Sequence, residues 1–177
     1  MKIVQYIKAV AAILIIALAS CSLFADGRKK DVAPGTEPSQ ISNAVVLPSF
    51  KITDVSGNIT DLQSLKGKKV FINLWATWCP PCRTEIPSIE KLYSKVDKTK
   101  VAFVMLSLDN DMQAAVNFAT KNKLATPVYY PAENLPSLFN VEGIPATFIF
   151  DEQGNLIRRV EGGDNYDTAG YLKLLSE

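Results

Sequence analysis

The apolar positions of the chain change period several times, and each change marks an element. Val70-Phe71-Ile72-Asn73-Leu74-Trp75 is apolar except for one amide, the pattern of a buried strand. From Cys82 onward, Ile86, Ile89, Tyr93 and Val96 recur at spacings of four, three, four and three, which lines one face of a helix. Val101 to Leu108 is almost wholly apolar and reads as a second core strand, covered on both faces as in a parallel sheet. Asp111 to Asn122 has helical spacing with Ala115, Phe118 and Ala119 inward, Thr126 to Tyr130 reads as a short strand, and Leu135 to Phe139 as a short helix. Ala146 to Phe150 and Leu156 to Val160 flank Asp151-Glu152-Gln153-Gly154-Asn155, a hairpin loop, and Thr168 to Leu175 closes the chain as a helix. Ahead of the first core strand, Pro48 to Thr53 and Ile59 to Leu62 flank the turn signal Ser56-Gly57-Asn58, which predicts an added hairpin. Strands alternating with helices, then a hairpin and a helix, argue for an α/β domain whose sheet is covered on both faces.

The amino terminus has a different pattern. Lys2 and Lys8 make a basic start, Ala9 to Ala19 is apolar, and Leu18-Ala19-Ser20-Cys21 ends the run with small residues before a cysteine, the form of an export signal. The apolar run is shorter than the roughly 20 residues of a full membrane span. Leu18 to Cys21 resembles the lipobox of bacterial lipoproteins, and by that resemblance Cys21 becomes the lipidated first residue of the mature chain. An ordinary secretory signal cleaved nearby, or an uncleaved helix, are the alternatives. Residues 21–43 carry Arg28-Lys29-Lys30 and Pro34-Gly35 with few large apolar side chains to bury, which predicts a flexible tether. The domains expected are therefore a signal over 1–20, a lipidated tether over 21–43 and one folded domain over 44–177.

Composition then removes functions. With 177 residues, 47% hydrophobic and 21% charged, there is material for one sizeable core. The formal charge is +1, and −1 once Lys2 and Lys8 are removed with the signal. No basic cluster exceeds Arg28-Lys29-Lys30 and Lys68-Lys69, so nucleic acid is not expected as a partner. The chain contains no His, which removes Ser-His and Cys-His catalysis and His-ligated metals together. Thiol redox chemistry survives that filter.

The candidate chemistry lies in Trp78-Cys79-Pro80-Pro81-Cys82, where the first core strand gives way to the first helix. Unpaired backbone N–H groups and the positive end of the helix dipole favour an anion there, so the pKa of an exposed Cys79 should fall. A thiolate attacks disulfides, and Cys82, one helical turn inward, can resolve the mixed disulfide that forms. Pro80 and Pro81 lack N–H groups, so the donors begin at Cys82 and thiolate stabilisation is modest, which favours a reducing dithiol. A zinc site is disfavoured because Cys21 is the chain's one other cysteine. A structural crosslink across two residues would restrict few unfolded conformations. No metal and no cofactor are expected.

Asn73-Leu74-Trp75-Ala76-Thr77-Trp78-Cys79-Pro80-Pro81-Cys82-Arg83-Thr84-Glu85-Ile86-Pro87, with Val141-Glu142-Gly143-Ile144-Pro145-Ala146-Thr147-Phe148-Ile149-Phe150-Asp151 further on, resembles the TlpA/ResA group of exported, membrane-tethered thiol-disulfide oxidoreductases in the thioredoxin superfamily. The resemblance covers about residues 45–177. It implies a central mixed β-sheet flanked by helices, with an amino-terminal β-hairpin extension and an inserted α/β element around residues 111–130. It makes Pro145 a cis-proline facing the cysteines, where a trans proline opening the next strand is the alternative. Trp78, Pro80, Pro81, Ile144 and Pro145 become the candidate substrate-binding residues, the backbone of Ile144 pairing with an extended substrate segment. Asn73 stands where thioredoxins carry a buried Asp under the pair, and an amide cannot take a proton. Glu85 is the candidate proton acceptor, with a solvated helix-surface acid or a first-turn acid favoured by the dipole as the alternatives. Trp75 either shapes the rim with Trp78 or packs in the core.

The resemblance also implies partners: exported proteins bearing disulfides or thiols, a membrane protein of the transmembrane thiol-relay type as electron donor, and the membrane itself through the lipid anchor. A monomer facing the periplasm or extracytoplasmic space is expected. Cytochrome c maturation is one role in the group, but its specialists carry a Glu directly after the cis-proline, where this chain has Ala146. A peroxiredoxin-like peroxidase and a non-enzymatic metal carrier on the same scaffold are the alternative functions. The peroxidase would want a Pro seven residues before Cys79, where Ile72 stands.

Overall fold

The computed structural model describes residues 45–177. The signal over 1–20, the lipidation of Cys21 and the tether over 21–43 lie outside the described residues. Seven strands form one mixed sheet: β1 (Lys51–Asp54), β2 (Ile59–Asp61), β3 (Lys69–Trp75), β4 (Val101–Ser107), β5 (Val128–Pro131), β6 (Ala146–Phe150) and β7 (Leu156–Glu161). Their spatial order is β2-β1-β5-β4-β3-β6-β7. The pairs β3/β4 and β4/β5 are parallel, and the outer pairs are antiparallel. Helices α1 (Pro80–Lys95), α2 (Met112–Asn122) and α3 (Ala169–Ser176) complete the α/β architecture.

β3 positions the site. It lies between β4 and β6 and is buried along its whole length, which is why its sequence is apolar rather than alternating. Successive side chains still point to opposite faces. Phe71 and Trp75 join the layer that also holds Ile86, Ile89 and Leu92 of α1, Ala115 of α2, and Tyr171 and Leu175 of α3. Val70, Ile72 and Leu74 face the other way, where Leu47, Phe50, Leu62 and Phe139 close the core. Asn73 shares the parity of Phe71 and Trp75, so this amide is fully buried on the helix side of the sheet. Each large apolar side chain buried here contributes on the order of 2 kcal/mol.

The boundaries differ from the sequence expectation where polar side chains intervene. Asp61 accepts the Gln63 N–H at 2.8 Å, which turns Leu62–Leu65 into a 3-10 helix instead of extending β2 through Leu62. The amino-terminal hairpin is present, but β1 starts at Lys51 rather than Pro48. Its turn needs Gly57, at φ +85°, a region that favours glycine. Thr126 stays outside β5 because Glu90 of α1 accepts its N–H at 2.9 Å and its hydroxyl as well. The short helix expected from Leu135 contracts to a 3-10 turn, Ser137–Phe139, preceded by Pro136.

Candidate active site

The end of β3 runs into the turn Ala76–Cys79, closed by a Cys79 N–H bond to Ala76 O at 3.2 Å. Cys79 is the N-cap of α1, with Pro80 and Pro81 as the first helical residues. Proline fits there because its missing N–H would have had no partner in the helix. The first available donor is therefore the Cys82 N–H, and it points at Cys79 Sγ, 3.3 Å away. Cys79 and Cys82 are joined in a disulfide, with Cα atoms 5.3 Å apart. The expectation of an exposed Cys79 is corrected: it is 3% exposed, with Ile144 O 3.6 Å from its sulfur. Cys82 is fully buried.

The Ile144–Pro145 bond is cis, and it sets the carbonyl of Ile144 beside the sulfur of Cys79. Pro145 is buried, Ile144 is half-buried, and Pro80 and Pro81 are exposed on the opposite lip. Trp78 is 63% exposed at the tip of the turn, whereas Trp75 is buried in the core against Phe118, with ring centroids 5.3 Å apart. The two tryptophans thus differ: Trp78 is exposed and Trp75 packs in the core.

Below this surface lies a polar cluster. Asn73 Nδ2 donates to Glu85 Oε1 at 2.7 Å and to Thr147 Oγ1 at 2.9 Å. Thr147 is directly opposite Asn73 across the β3/β6 pair, so the register itself brings them together. Tyr166, between β7 and α3, donates its hydroxyl to Thr147 Oγ1 at 2.7 Å. The other carboxylate oxygen of Glu85 accepts the Asp164 N–H at 3.1 Å. Glu85 is 4% exposed, which rules out the alternative of a solvated surface acid. Burial pushes its carboxyl up to about 7, with the nearby Asp164 carboxylate adding to the rise and the bonds from Asn73 and Asp164 N–H opposing it. Burial likewise pushes the Tyr166 hydroxyl well above its ordinary range.

Glu85 also borders a cleft of about 520 Å³, together with Pro81, Thr84, Ser88, Gly163, Asp164 and Asn165. Among the described residues, Asn73 Oδ1 and Trp75 Nε1 are buried without a hydrogen-bond partner. The structure thus places Trp78, Pro80 and Pro81 at the surface, Ile144 half-buried, and Cys79, Cys82, Pro145, Asn73 and Glu85 buried. Thr147 and Tyr166 were missed in the sequence. The strand register would have found Thr147, but nothing local marks Tyr166, which reaches the cluster from a loop.

Two cysteines at a helix start, beside a cis-proline that leads into β6 of a mixed sheet, are the arrangement of the thiol-disulfide oxidoreductases of thioredoxin-like fold. The model of the Redoxin family matches residues 42–175, and the chain belongs to that family. The thiol-disulfide oxidoreductase ResA of Bacillus anthracis is 33% identical over 131 residues, 73% of this chain and 76% of the relative. The thioredoxin-like protein YneN of Bacillus subtilis is 32% identical over 152 residues, 85% of each chain. Among solved structures, a thiol:disulfide interchange protein of the thioredoxin family from Chlorobium tepidum TLS has a TM-score of 0.65 at 28% identity, over 76% of this chain and 97% of the other. StoA from Bacillus subtilis has a TM-score of 0.61 at 24% identity, over 72% of this chain and 98% of the other, a likeness of fold. Within its family this chain is a TlpA/ResA-like thiol-disulfide oxidoreductase.

Proposed function

We propose that this chain is an exported, lipid-anchored protein-disulfide reductase in which Cys79 is the nucleophile, Cys82 the resolving thiol and Glu85 the proton acceptor. The single observation that carries the assignment of the two sulfurs is the 3.3 Å contact from the Cys82 N–H to Cys79 Sγ, a donor aimed at the sulfur that caps the helix. In the dithiol form that donor stabilises a Cys79 thiolate.

Cys79 thiolate attacks one sulfur of a substrate disulfide, forming a Cys79–substrate bond and expelling the other substrate sulfur as a thiolate. The Cys82 thiol passes its proton toward Glu85, one turn along α1, and attacks Cys79 Sγ. The Cys79–Cys82 disulfide forms, the second substrate sulfur leaves, and two electrons have moved from the protein to the substrate. A membrane thiol-relay donor then returns them. A carboxyl near 7 both accepts and returns a proton at neutral pH, which supports Glu85 in that role.

Substrate recognition is assigned to the Ile144 carbonyl, Pro145, Trp78, Pro80 and Pro81, of which Trp78, Pro80 and Pro81 are exposed beside Cys79 in the chain and the Ile144 carbonyl lies 3.6 Å from its sulfur. The Ile144 carbonyl offers a backbone acceptor to an extended peptide. The reducing direction is supported by the single N–H available to Cys79, since a sulfur with few donors makes a less stabilised thiolate and a stronger reductant. Export and anchoring rest on residues 1–21, whose Leu18-Ala19-Ser20-Cys21 ending has the lipobox form.

The reduction potential of the Cys79/Cys82 couple tests the direction. A value near about −270 mV supports a reductant, and one near about −120 mV overturns it. A Cys82→Ser variant should accumulate Cys79 mixed disulfides with exported proteins, and failure to trap any would overturn the assignment of the two thiols. Detergent phase partitioning of the wild type against Cys21→Ser checks the anchor.

A further inference from the structure

Asp109 follows β4 and is 5% exposed, yet it forms no ion pair among the described residues. Its carboxylate is satisfied by donors from two residues. Thr77 N–H lies 3.2 Å from Oδ1 and 3.1 Å from Oδ2, and the Thr77 hydroxyl donates to Oδ1 at 2.7 Å. The Ser107 hydroxyl donates to Oδ2 at 2.8 Å, while Asp109 N–H donates to Ser107 Oγ at 3.1 Å. Leu108 N–H bonds to Trp75 O at 2.8 Å, fastening the same two chain ends together.

Burying a carboxylate is costly unless its lone pairs are filled, so tight closure of two strand ends does not by itself call for one. What the carboxylate grips is specific. Thr77 is the second residue of the turn Ala76–Cys79, whose third residue is the exposed Trp78 and whose last residue is the N-cap cysteine. Thr77 N–H and hydroxyl are both committed to Asp109, so the turn is tied to the chain just after β4. A turn free to rock would carry Cys79 Sγ away from the Cys82 N–H, now 3.3 Å off, a good distance for a bond to sulfur.

We infer that Asp109 is a positioning residue for Cys79, acting through Thr77 to hold the Ala76–Cys79 turn so that Cys79 Sγ stays over the Cys82 N–H. The inference rests on the proposed role of Cys79 as nucleophile. It is tested on the reduced full-length chain by the rate of alkylation with iodoacetamide at neutral pH, with the modified cysteine located by peptide mass.

In the wild type Cys79 should be modified ahead of Cys82. If Cys82 reacts first, the nucleophile assignment itself fails. With Cys79 first, Asp109→Ala should slow its alkylation about fivefold, the scale of losing a helix cap that also stabilises the thiolate. Asp109→Asn keeps an oxygen for Thr77 and should return the rate to within about twofold of the wild type. An unchanged rate in Asp109→Ala, or an Asn variant as slow as the Ala variant, overturns the inference. A residue needed only for folding would lower stability without this rescue of rate. If Asp109→Ala fails to fold, Thr77→Val decides. It removes the hydroxyl bond and keeps the N–H bond, so the rate should fall about twofold, and no change overturns the inference.

Discussion

Asn73 Nδ2 donates to Glu85 Oε1 across 2.7 Å, placing an amide donor from the central strand against a carboxyl that burial has pushed up to about 7. The amide cannot take up a proton itself, and its bond orients the Glu85 carboxyl. Its N–H favours the ionised form, and the buried surroundings favour the neutral one. The balance leaves Glu85 with a pKa raised to about 7.

That balance predicts an unusual dependence of stability on pH. The folded pKa of Glu85 is raised, so between its ordinary value of 4.5 and about 7 the folded state holds a proton that the unfolded state has lost. Stability should therefore fall as pH rises through this window and level off above it. The effect is a few kcal/mol at most, since each unit corresponds to about 1.4 kcal/mol. The lowered carboxyls of Asp61 and Asp151 act the opposite way and at lower pH, as they are protonated. Urea midpoints at pH 4.5 and 7.5 should differ in the wild type and converge in Glu85→Gln.

The same substitution should separate the two chemical steps. Glu85→Gln keeps an acceptor oxygen for Asn73 but cannot take up a proton. Attack by Cys79 on a peptide disulfide should proceed at a near-normal rate, while resolution by Cys82 slows by roughly 10²-fold. Quenched-flow measurement of the mixed disulfide would reveal its accumulation, and a loss confined to the first step would remove Glu85 from the proposed role.

Asn73→Asp replaces the donor with a second carboxyl 2.7 Å from the first. The two would titrate as a pair, with the upper apparent pKa above the value near 7 expected for Glu85 alone. Carbon-detected NMR of the side-chain carboxyls reads this directly, and an upper step at or below the wild-type value would contradict it.

Tyr166→Phe deletes the hydroxyl that donates to Thr147 at 2.7 Å and leaves the ring edge-on to Phe71, with centroids 5.2 Å apart. The cost should be about 1 kcal/mol, seen as a lower urea midpoint at unchanged m. The Glu85 titration should stay in place, because Asn73 and Asp164 N–H, rather than Tyr166, touch its carboxyl.

Much of the site was legible in the sequence. The apolar run of β3 ending at Trp75, and the helical spacing after Cys82, placed both sulfurs at a helix start without any coordinates. Glu85 was marked as a candidate, but its spacing fitted a surface acid equally well. Its burial depends on Asp164 and Tyr166, brought in by the loop after β7. Periodicity along one helix carries no information about what a distant loop covers. Element ends were misjudged where a side chain captured a backbone N–H, as Asp61 does with Gln63 and Glu90 with Thr126.

By itself the sequence determined the strand-to-helix step that carries Cys79 and Cys82, because local period and the missing N–H groups of Pro80 and Pro81 act within a few residues of the sulfurs. It also determined the absence of histidine chemistry. Tertiary structure decided what surrounds the pair. The β3/β6 register set Thr147 against Asn73, the cis peptide set Ile144 O beside Cys79, and the end of β4 brought Asp109 to Thr77. Those contacts join residues from 32 to 74 positions apart in the chain. Only the closing of the sheet brings such distant groups within hydrogen-bond range, where burial then sets their charge.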